Sequence, residues 1–214
     1  MTSWSEATLL VAVALLLLLW LVWVVANRLD RLHRKVATSR AALENQLVRR
    51  ASAAAELASS GLLDPVSSVL VGEAAWAALS AGGHGRAELV AALPDLDRML
   101  GPDGPGGRAE DPVERDMAES ELSRTVREAL SDDDEVAALS AQPGGAELVG
   151  ALSAAWYRVQ LARRFHNEAV AQAQRVRHKL VVRTLRLAGH APTPQTVEID
   201  DDWPEALRRV AQAA

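Results

Sequence analysis

Residues 9–26 read LLVAVALLLLLWLVWVVA, and the whole stretch from Thr8 to Ala26 holds no charged residue. At ~1.5 Å of rise per residue, a helix over this stretch nearly matches the ~30 Å hydrocarbon core of a bilayer. Trp4 precedes it and Trp20 and Trp23 lie near its other end, as expected of rings at the headgroup level. The stretch therefore predicts one transmembrane helix over residues 8–26.

The charges that flank this span predict its orientation. Residues 1–7 contain no Lys or Arg, whereas Arg28, Arg31, Arg34 and Lys35 follow the span at once. By the positive-inside rule, residues 1–7 are an extracytoplasmic N-terminus, and the long C-terminal part is cytoplasmic in a single-pass protein of the cell membrane.

Two other interpretations of the apolar stretch remain. Val24 and Ala26 would suit a signal-peptide cleavage site, but the preceding segment carries only Glu6 where positive charge is expected. A buried core helix would need a core larger than this chain can enclose.

Composition favours an all-α fold. The chain contains one Phe, one Tyr and much Ala, the best helix former. It has no cysteine, which excludes disulfides and thiolate chemistry.

We expect the membrane helix to continue as one rod to Ser60, since nothing between Ala26 and Ser60 breaks a helix, and Gly61 ends it. Its inward stripe follows a three-four spacing with polar side chains at some positions. The stripe comprises Leu29, Leu32, Val36, Ser39, Leu43, Gln46, Arg50, Ala53 and Leu57.

Caps and breakers predict the elements that follow. Asp64-Pro65 begins a helix that stops at Gly82-Gly83, and Asp111-Pro112 begins another that ends near Ser131. Residues 86–93 and 95–100 are predicted as short helices and residues 101–110, GPDGPGGRAE, as a flexible loop. Asp132–Glu135 begin a further short helix.

A long helix is predicted from Ala146 to Ala188, because its apolar stripe keeps a four-three spacing without a slip. The stripe runs Leu148, Leu152, Ala155, Val159, Ala162, His166, Ala169, Ala173, Val176 and Leu180. We expect this helix to pair antiparallel with the rod of residues 27–60, giving a helical domain over 27–189 and an acidic tail over 190–214.

Charge is segregated along the chain. Residues 88–147 carry sixteen carboxylates against five arginines, whereas the first and last long helices are basic. These charges could neutralise one another on folding. An antiparallel return would instead gather a basic collar at the cytoplasmic membrane surface, beside membrane lipid. We define the basic collar as Arg28, Arg31, Arg34, Lys35, Arg175, Arg177, Lys179, Arg183 and Arg186.

Two stretches carry a family resemblance. Residues 163–170, RRFHNEAV, resemble the last-helix signature of LemA family proteins, and residues 45–50, NQLVRR, resemble a second stretch of that family. The motif positions are Arg49, Arg50, Arg164, Phe165, Asn167 and Val170. The resemblance covers the anchor, the rod and the last long helix of a diverged relative. It implies a membrane-anchored helical domain and supplies no catalytic residues.

The sequence contains few residue patterns that are typical of catalysis or metal binding. His33, His84, His166, His178 and His190 lie in no metal-ligand spacing, so no metal site and no cofactor are predicted. His166 falls on the apolar stripe and is interpreted as a core histidine. The last helix is rich in Arg but lacks interleaved aromatics, which argues against nucleic-acid binding.

One enzyme alternative is a degenerate Nudix-like pyrophosphohydrolase domain on a membrane anchor. Gly101 and residues 115–119, RDMAE, fall in register with a Nudix box. The box would need Glu at Gly107 and at Ser120, and the chain has almost no strand material for such a mixed fold.

The preferred function is therefore non-enzymatic. The pattern favours a membrane-anchored helical scaffold that binds lipid and other membrane or envelope proteins, including a second copy of the chain.

The predicted topology is testable with a reporter fused after Ala214. The reporter should behave as cytoplasmic, because the basic residues all follow the span. Extracytoplasmic reporter activity, or a mature N-terminus at Asn27, would contradict the orientation.

Overall fold

The computed structural model describes residues 2–82, 112–189 and 191–208. The part described is all-α and contains no strand, which confirms the predicted fold class. Its helices are α1 Thr2–Ser59, α2 Pro65–Ala81, α3 Pro112–Ala129, α4 Asp133–Ala141, α5 Gly145–Arg177 and α6 Leu180–Thr184. The helices predicted over 86–93 and 95–100 and the loop 101–110 lie outside the described residues, as do Asp111, His84 and His190.

The apolar first part of α1 is exposed in the part of the chain that the structure describes. It is the one described helix that is long and apolar enough to cross a membrane, judged by length and composition, and none of its most apolar window is buried. Leu16 and Leu19, for example, are 66% and 67% exposed. This exposure contradicts a buried core helix.

The chain divides into two compact units. Unit 1 comprises Met1–Arg40 with Phe165–Thr196, and unit 2 comprises Ala41–Arg164 with Val197–Ala214. Helices α1 and α5 each contribute one segment to each unit.

In unit 1, the end of α5 packs on α1 in antiparallel fashion. Leu29 of α1, Val176 of α5 and Val182 of α6 form a small buried cluster. Further along, Ser39 of α1 meets His166 of α5, so rising numbers on one helix match falling numbers on the other.

Unit 2 has a larger core that is rich in alanine. Ala51, Ala54 and Leu57 of α1 pack with Leu152 and Trp156 of α5, again antiparallel. Helices α2, α3 and α4 close the core, with α2 against α3. The short apolar side chains let the helices approach closely.

From the end of α1 to the start of α4, the helix boundaries among the described residues agree with the predicted ones to within about two residues. Asp64 caps α2 by accepting hydrogen bonds from the Val66 and Ser67 backbone N–H groups, at 2.9 and 3.2 Å. The side-chain and backbone hydrogen bonds of Ser67 lower the pKa of the Asp64 carboxyl. Asp132 caps α4 in the same way.

The prediction of one helix to Ala188 was wrong. Helix α5 ends at Arg177, and Lys179 has an extended backbone (φ −64°, ψ 138°) before α6 begins. The break lets Val182 reach the buried cluster with Leu29, whereas Leu180, assigned to the stripe, is 76% exposed.

A Schellman turn closes α6. The Leu187 N–H donates to the Val182 carbonyl at 3.0 Å and the Arg186 N–H donates to the Arg183 carbonyl at 3.3 Å. Arg186 therefore takes the left-handed conformation (φ 47°), where glycine is the usual residue.

Residues 191–208 belong to the stretch that was predicted from the sequence to be an acidic tail. They have no regular secondary structure up to residue 204, and residues 205–208 form a last helical turn. In unit 2, Val197 and Ile199 pack with Leu43, Leu47 and Val159. Ala206 and Leu207 are buried in the larger core. Residues 197–208 are therefore a structural part of unit 2, whereas residues 191–196 belong to unit 1.

The turn between α4 and α5 requires glycine at position 145. A Cβ added there would lie 1.9 Å from the Leu139 carbonyl oxygen. We expect Gly145→Ala to lower the free energy of unfolding by about 1 to 3 kcal/mol, as overpacking against backbone does. Urea denaturation of the domain from residue 28 onward measures it.

Gly150 provides the matched control, because nothing lies within 4 Å of a Cβ added there. Gly150→Ala should raise the free energy of unfolding by about 0.5 to 1 kcal/mol, since glycine is costly inside a helix. Equal effects of the two substitutions would contradict the close packing at Gly145.

Candidate membrane-proximal site

The candidate site lies in unit 1, where α1 leaves its apolar stretch. Lys35 Nζ donates to Gln172 Oε1 at 3.3 Å, and Leu29 packs on Val176. This register brings the end of α5 next to the first turns of α1 after the apolar stretch, within one unit.

Three cations of the basic collar surround one groove there. Arg28 comes from α1, and Arg175 and Lys179 come from the end of α5 and the break that follows it. Leu32 and Val176 contribute apolar lining, and none of the described residues that line the groove is a carboxylate. Arg183 and Arg186 are exposed on α6 and just beyond it.

Other collar members have protein partners. Arg34 forms an ion pair with Asp30 one turn earlier on α1. Arg177 donates to the carbonyls of Ala191 and Pro192, at 2.7 and 3.0 Å, and so holds the chain after α6 in place. Arg177 is thus a structural residue more than a surface charge.

The remaining positive charge of unit 1 is not balanced locally. Residues 27–40 contain one acidic residue, Asp30, and residues 165–189 contain one, Glu168. Asp30 pairs with Arg34, and Glu168 accepts a hydrogen bond from Gln172. In the described part of unit 1, no carboxylate forms an ion pair with the exposed collar cations, which are Arg28, Arg31, Lys35, Arg175, Lys179, Arg183 and Arg186.

His166 occupies the core position predicted from the stripe. It is 2% exposed, and its Nδ1 lies 3.1 Å from Ser39 Oγ. Because the Ser39 hydroxyl donates to the Val36 carbonyl at 2.9 Å, its oxygen accepts from an Nδ1–H tautomer.

The family-motif residues are scattered among environments. Arg164 and Phe165 are exposed, Asn167 is half-buried and Val170 is fully buried. Of the two arginines in the earlier motif, Arg49 is exposed and Arg50 is completely buried.

In unit 2, Arg50 is the centre of a buried polar cluster that sequence reasoning missed. Its guanidinium donates to Glu119 Oε2 at 2.8 Å and to Ser123 Oγ at 2.9 Å. Its Cζ lies 4.8 Å from the centroid of the Trp156 ring. Nearby on the same two helices, Arg115 of α3 pairs with Glu44 of α1.

These contacts show how the Nudix-register residues are used. Arg115 and Glu119 are both 1% exposed, and each is paired with a residue of α1. Ser120 Oγ donates to the Asp116 carbonyl and accepts from the Asp200 N–H. In this structure Arg115 and Glu119 face α1, and Ser120 contacts the backbone of Asp116 and Asp200.

Two further arginines of unit 2 bind the C-terminal segment. Arg163 contacts both carboxylate oxygens of Asp201 at 2.7 Å, and Arg127 pairs with Asp200. The hydrogen bond from Arg127 lowers the pKa of the Asp200 carboxyl. The Arg127–Asp200 pair therefore stabilises the fold at a pH above the pKa that the Asp200 carboxyl has in the unfolded chain. This contribution is lost as the pH falls through the lower pKa that the carboxyl has in the folded protein.

No group of three or more His, Asp or Glu side chains that could hold a metal occurs among the residues described.

The Arg50–Glu119 pair allows a sharp stability test. Glu119→Ala should cost about 3 to 5 kcal/mol of unfolding free energy, because it leaves the Arg50 guanidinium buried without its counter-ion. Denaturant unfolding of the domain from residue 28 onward measures the loss.

Glu121→Ala is the matched control on the same helix, since Glu121 pairs with Arg124 at the surface. It should cost at most about 1 kcal/mol. Replacing both buried partners, Arg50→Met with Glu119→Leu, should recover much of the loss. Similar losses for Glu119→Ala and Glu121→Ala would contradict a buried pair.

No family model, curated protein or solved structure matches this chain. The LemA resemblance accordingly stays a prediction from the sequence.

Proposed function

We propose that this protein is a non-enzymatic, single-pass membrane scaffold whose helical domain is held against the anionic cytoplasmic membrane surface by its basic collar. The observation that carries the proposal is the unbalanced positive charge of unit 1, at the base of an exposed apolar helix. Phospholipid phosphates are the anions that such a location would meet.

Distances along α1 support lipid contact. At ~1.5 Å per residue, Arg28 and Leu32 lie about 3 and 9 Å beyond Ala26. The polar headgroup layer is about 5 to 8 Å thick on each side of the bilayer. If residues 8–26 span the hydrocarbon, the groove of Arg28, Arg175 and Lys179 lies at headgroup level.

The same charges support the proposed orientation. Residues 1–7 carry no Lys or Arg, whereas many exposed cations follow the span. Anionic lipids are concentrated in the cytoplasmic leaflet, so the positive-inside rule and the collar favour the same topology.

An apolar surface on unit 2 supports the protein-binding part of the scaffold. Helix α2 exposes Val66, Val69, Leu70 and Trp76 on one face, which also carries the exposed Glu73. Such a face suits packing against a helix of another membrane or envelope protein, or of a second copy of the chain.

In-cell crosslinking followed by affinity capture measures this binding. The Trp76→Ser variant should capture less of the partners that crosslink to the parent protein.

The pyrophosphohydrolase alternative has less support. Its candidate residues Arg115 and Glu119 are buried in ion pairs, and no strand occurs among the described residues. A hydrolase assay on nucleoside diphosphate derivatives with Mg²⁺ should therefore give no activity.

Vesicle flotation of the domain from residue 28 onward tests the collar. Binding should require anionic lipid and weaken with salt, because it is electrostatic. Each cation near the surface contributes ~1 kcal/mol, so Arg183→Ser with Arg186→Ser should weaken binding by about 30-fold.

Arg186→Gly separates binding from folding. Glycine relieves the left-handed backbone at this position, so this variant should be at least as stable as the parent while binding anionic vesicles less tightly. Arg124→Ser is the surface control, because Arg124 is already paired with Glu121 and Glu128. Equal binding to neutral vesicles, or indifference to the Arg183 and Arg186 substitutions, would contradict the proposal.

A further inference from the structure

Residues 179–186, KLVVRTLR, combine exposed apolar and exposed basic side chains on one short segment. Leu180, Val181 and Leu185 are 76%, 39% and 48% exposed. Lys179, Arg183 and Arg186 lie between and beside them and are exposed as well. We call residues 179–186 the interfacial segment.

The exposure of these apolar side chains is fixed by the surrounding structure. The break at Lys179 turns the chain out of α5, and Val182 and Leu187 then pack inward with Leu29 and Val176. The Schellman turn at Arg186 closes the segment. With Val182 and Leu187 held inside, Leu180 and Leu185 have no inward position left.

The depth of the segment follows from its contacts with α1. Val182 shares a cluster with Leu29, and Val25 packs against the same cluster. Leu29 lies three residues beyond Ala26, which is about 4.5 Å of helix rise. If α1 spans the bilayer, the interfacial segment is level with the headgroups and the adjoining ends of the acyl chains.

We propose that the interfacial segment inserts into the membrane surface. Leu180, Val181 and Leu185 enter the boundary between headgroups and acyl chains, while Lys179, Arg183 and Arg186 contact lipid phosphates. This is the arrangement of an amphipathic segment lying in the interface plane. The inference rests on the proposed function, because it requires α1 to span the same bilayer.

Lipid is the occupant that the structure favours for this apolar patch. The patch lies beside an α1 stretch whose own apolar side chains are exposed over many turns. Cations flank the patch, and the sequence has no Asp or Glu between Glu168 and Glu198, which complements anionic headgroups. Insertion also adds an apolar component to membrane contact that persists at high salt, unlike the collar alone.

The full-length chain in vesicles provides the test, and the absence of cysteine allows clean single-site labelling. Leu180→Cys and Leu185→Cys are labelled with an environment-sensitive fluorophore and reconstituted in mixed phosphatidylcholine and phosphatidylglycerol. Lipids spin-labelled near the top of the acyl chain act as quenchers. Both labels should be quenched several-fold more than a label at Thr38, and should stay quenched at high salt.

Two reference sites make the outcome decisive. Val13→Cys lies within the apolar stretch, and Thr38→Cys is exposed about 18 Å beyond Ala26. If the label at position 13 is quenched but the labels at positions 180 and 185 are quenched no more than the label at position 38, the interfacial segment does not insert. The membrane-spanning assignment of α1 would still hold in that case. No quenching at Val13 would overturn the proposed function itself. Labels at 180 and 185 shielded from lipid quencher and aqueous iodide alike would show a protein partner and overturn the inference.

Discussion

Antiparallel packing of α5 on α1 is the constraint on which the rest of the structure depends. In unit 1 it pairs Leu29 with Val176, and in unit 2 it places Leu57 and Leu152 in one core. Each contact buries apolar area, which contributes about 25 cal/mol per Å² and exceeds what helix propensity alone supplies. The remaining described helices pack against this pair or extend from its end.

Charge is handled differently in the two units. In unit 2, arginines meet carboxylates, as in the pairs of Arg50 with Glu119, Arg127 with Asp200 and Arg163 with Asp201. That part of the chain neutralises itself on folding, as the segregated charge pattern allowed. In the described part of unit 1, most exposed collar cations form no ion pair with a carboxylate. An unbalanced basic surface beside an exposed apolar helix is the physical basis for proposing lipid as its partner.

Local sequence signals predicted much of this fold. Asp64-Pro65, Asp132 and Gly61 sit where capping rules place them, and the α5 stripe is buried or half-buried from Leu148 to Val176. The end of α5 was missed because the four-three spacing continues through Leu180, while packing of Val182 on Leu29 is a tertiary effect.

The buried charges were missed for a related reason. The sequence does not show whether a charged residue on a helical stripe is buried against an oppositely charged side chain. The partner of Arg50 is Glu119, which lies sixty-nine residues away in the sequence. The collar was predicted from the antiparallel return, but the inward use of Arg177 depends on backbone carbonyls that the sequence does not place.

Crosslinking within unit 1 tests the antiparallel return most directly. The cysteine-free chain accepts Lys35→Cys with Gln172→Cys, whose native side chains are hydrogen-bonded, and a short bifunctional maleimide should join this pair in membranes. Arg28→Cys with Glu168→Cys should not react, because antiparallel packing separates these levels by about 15 Å. Efficient joining of the second pair and none of the first would contradict the account.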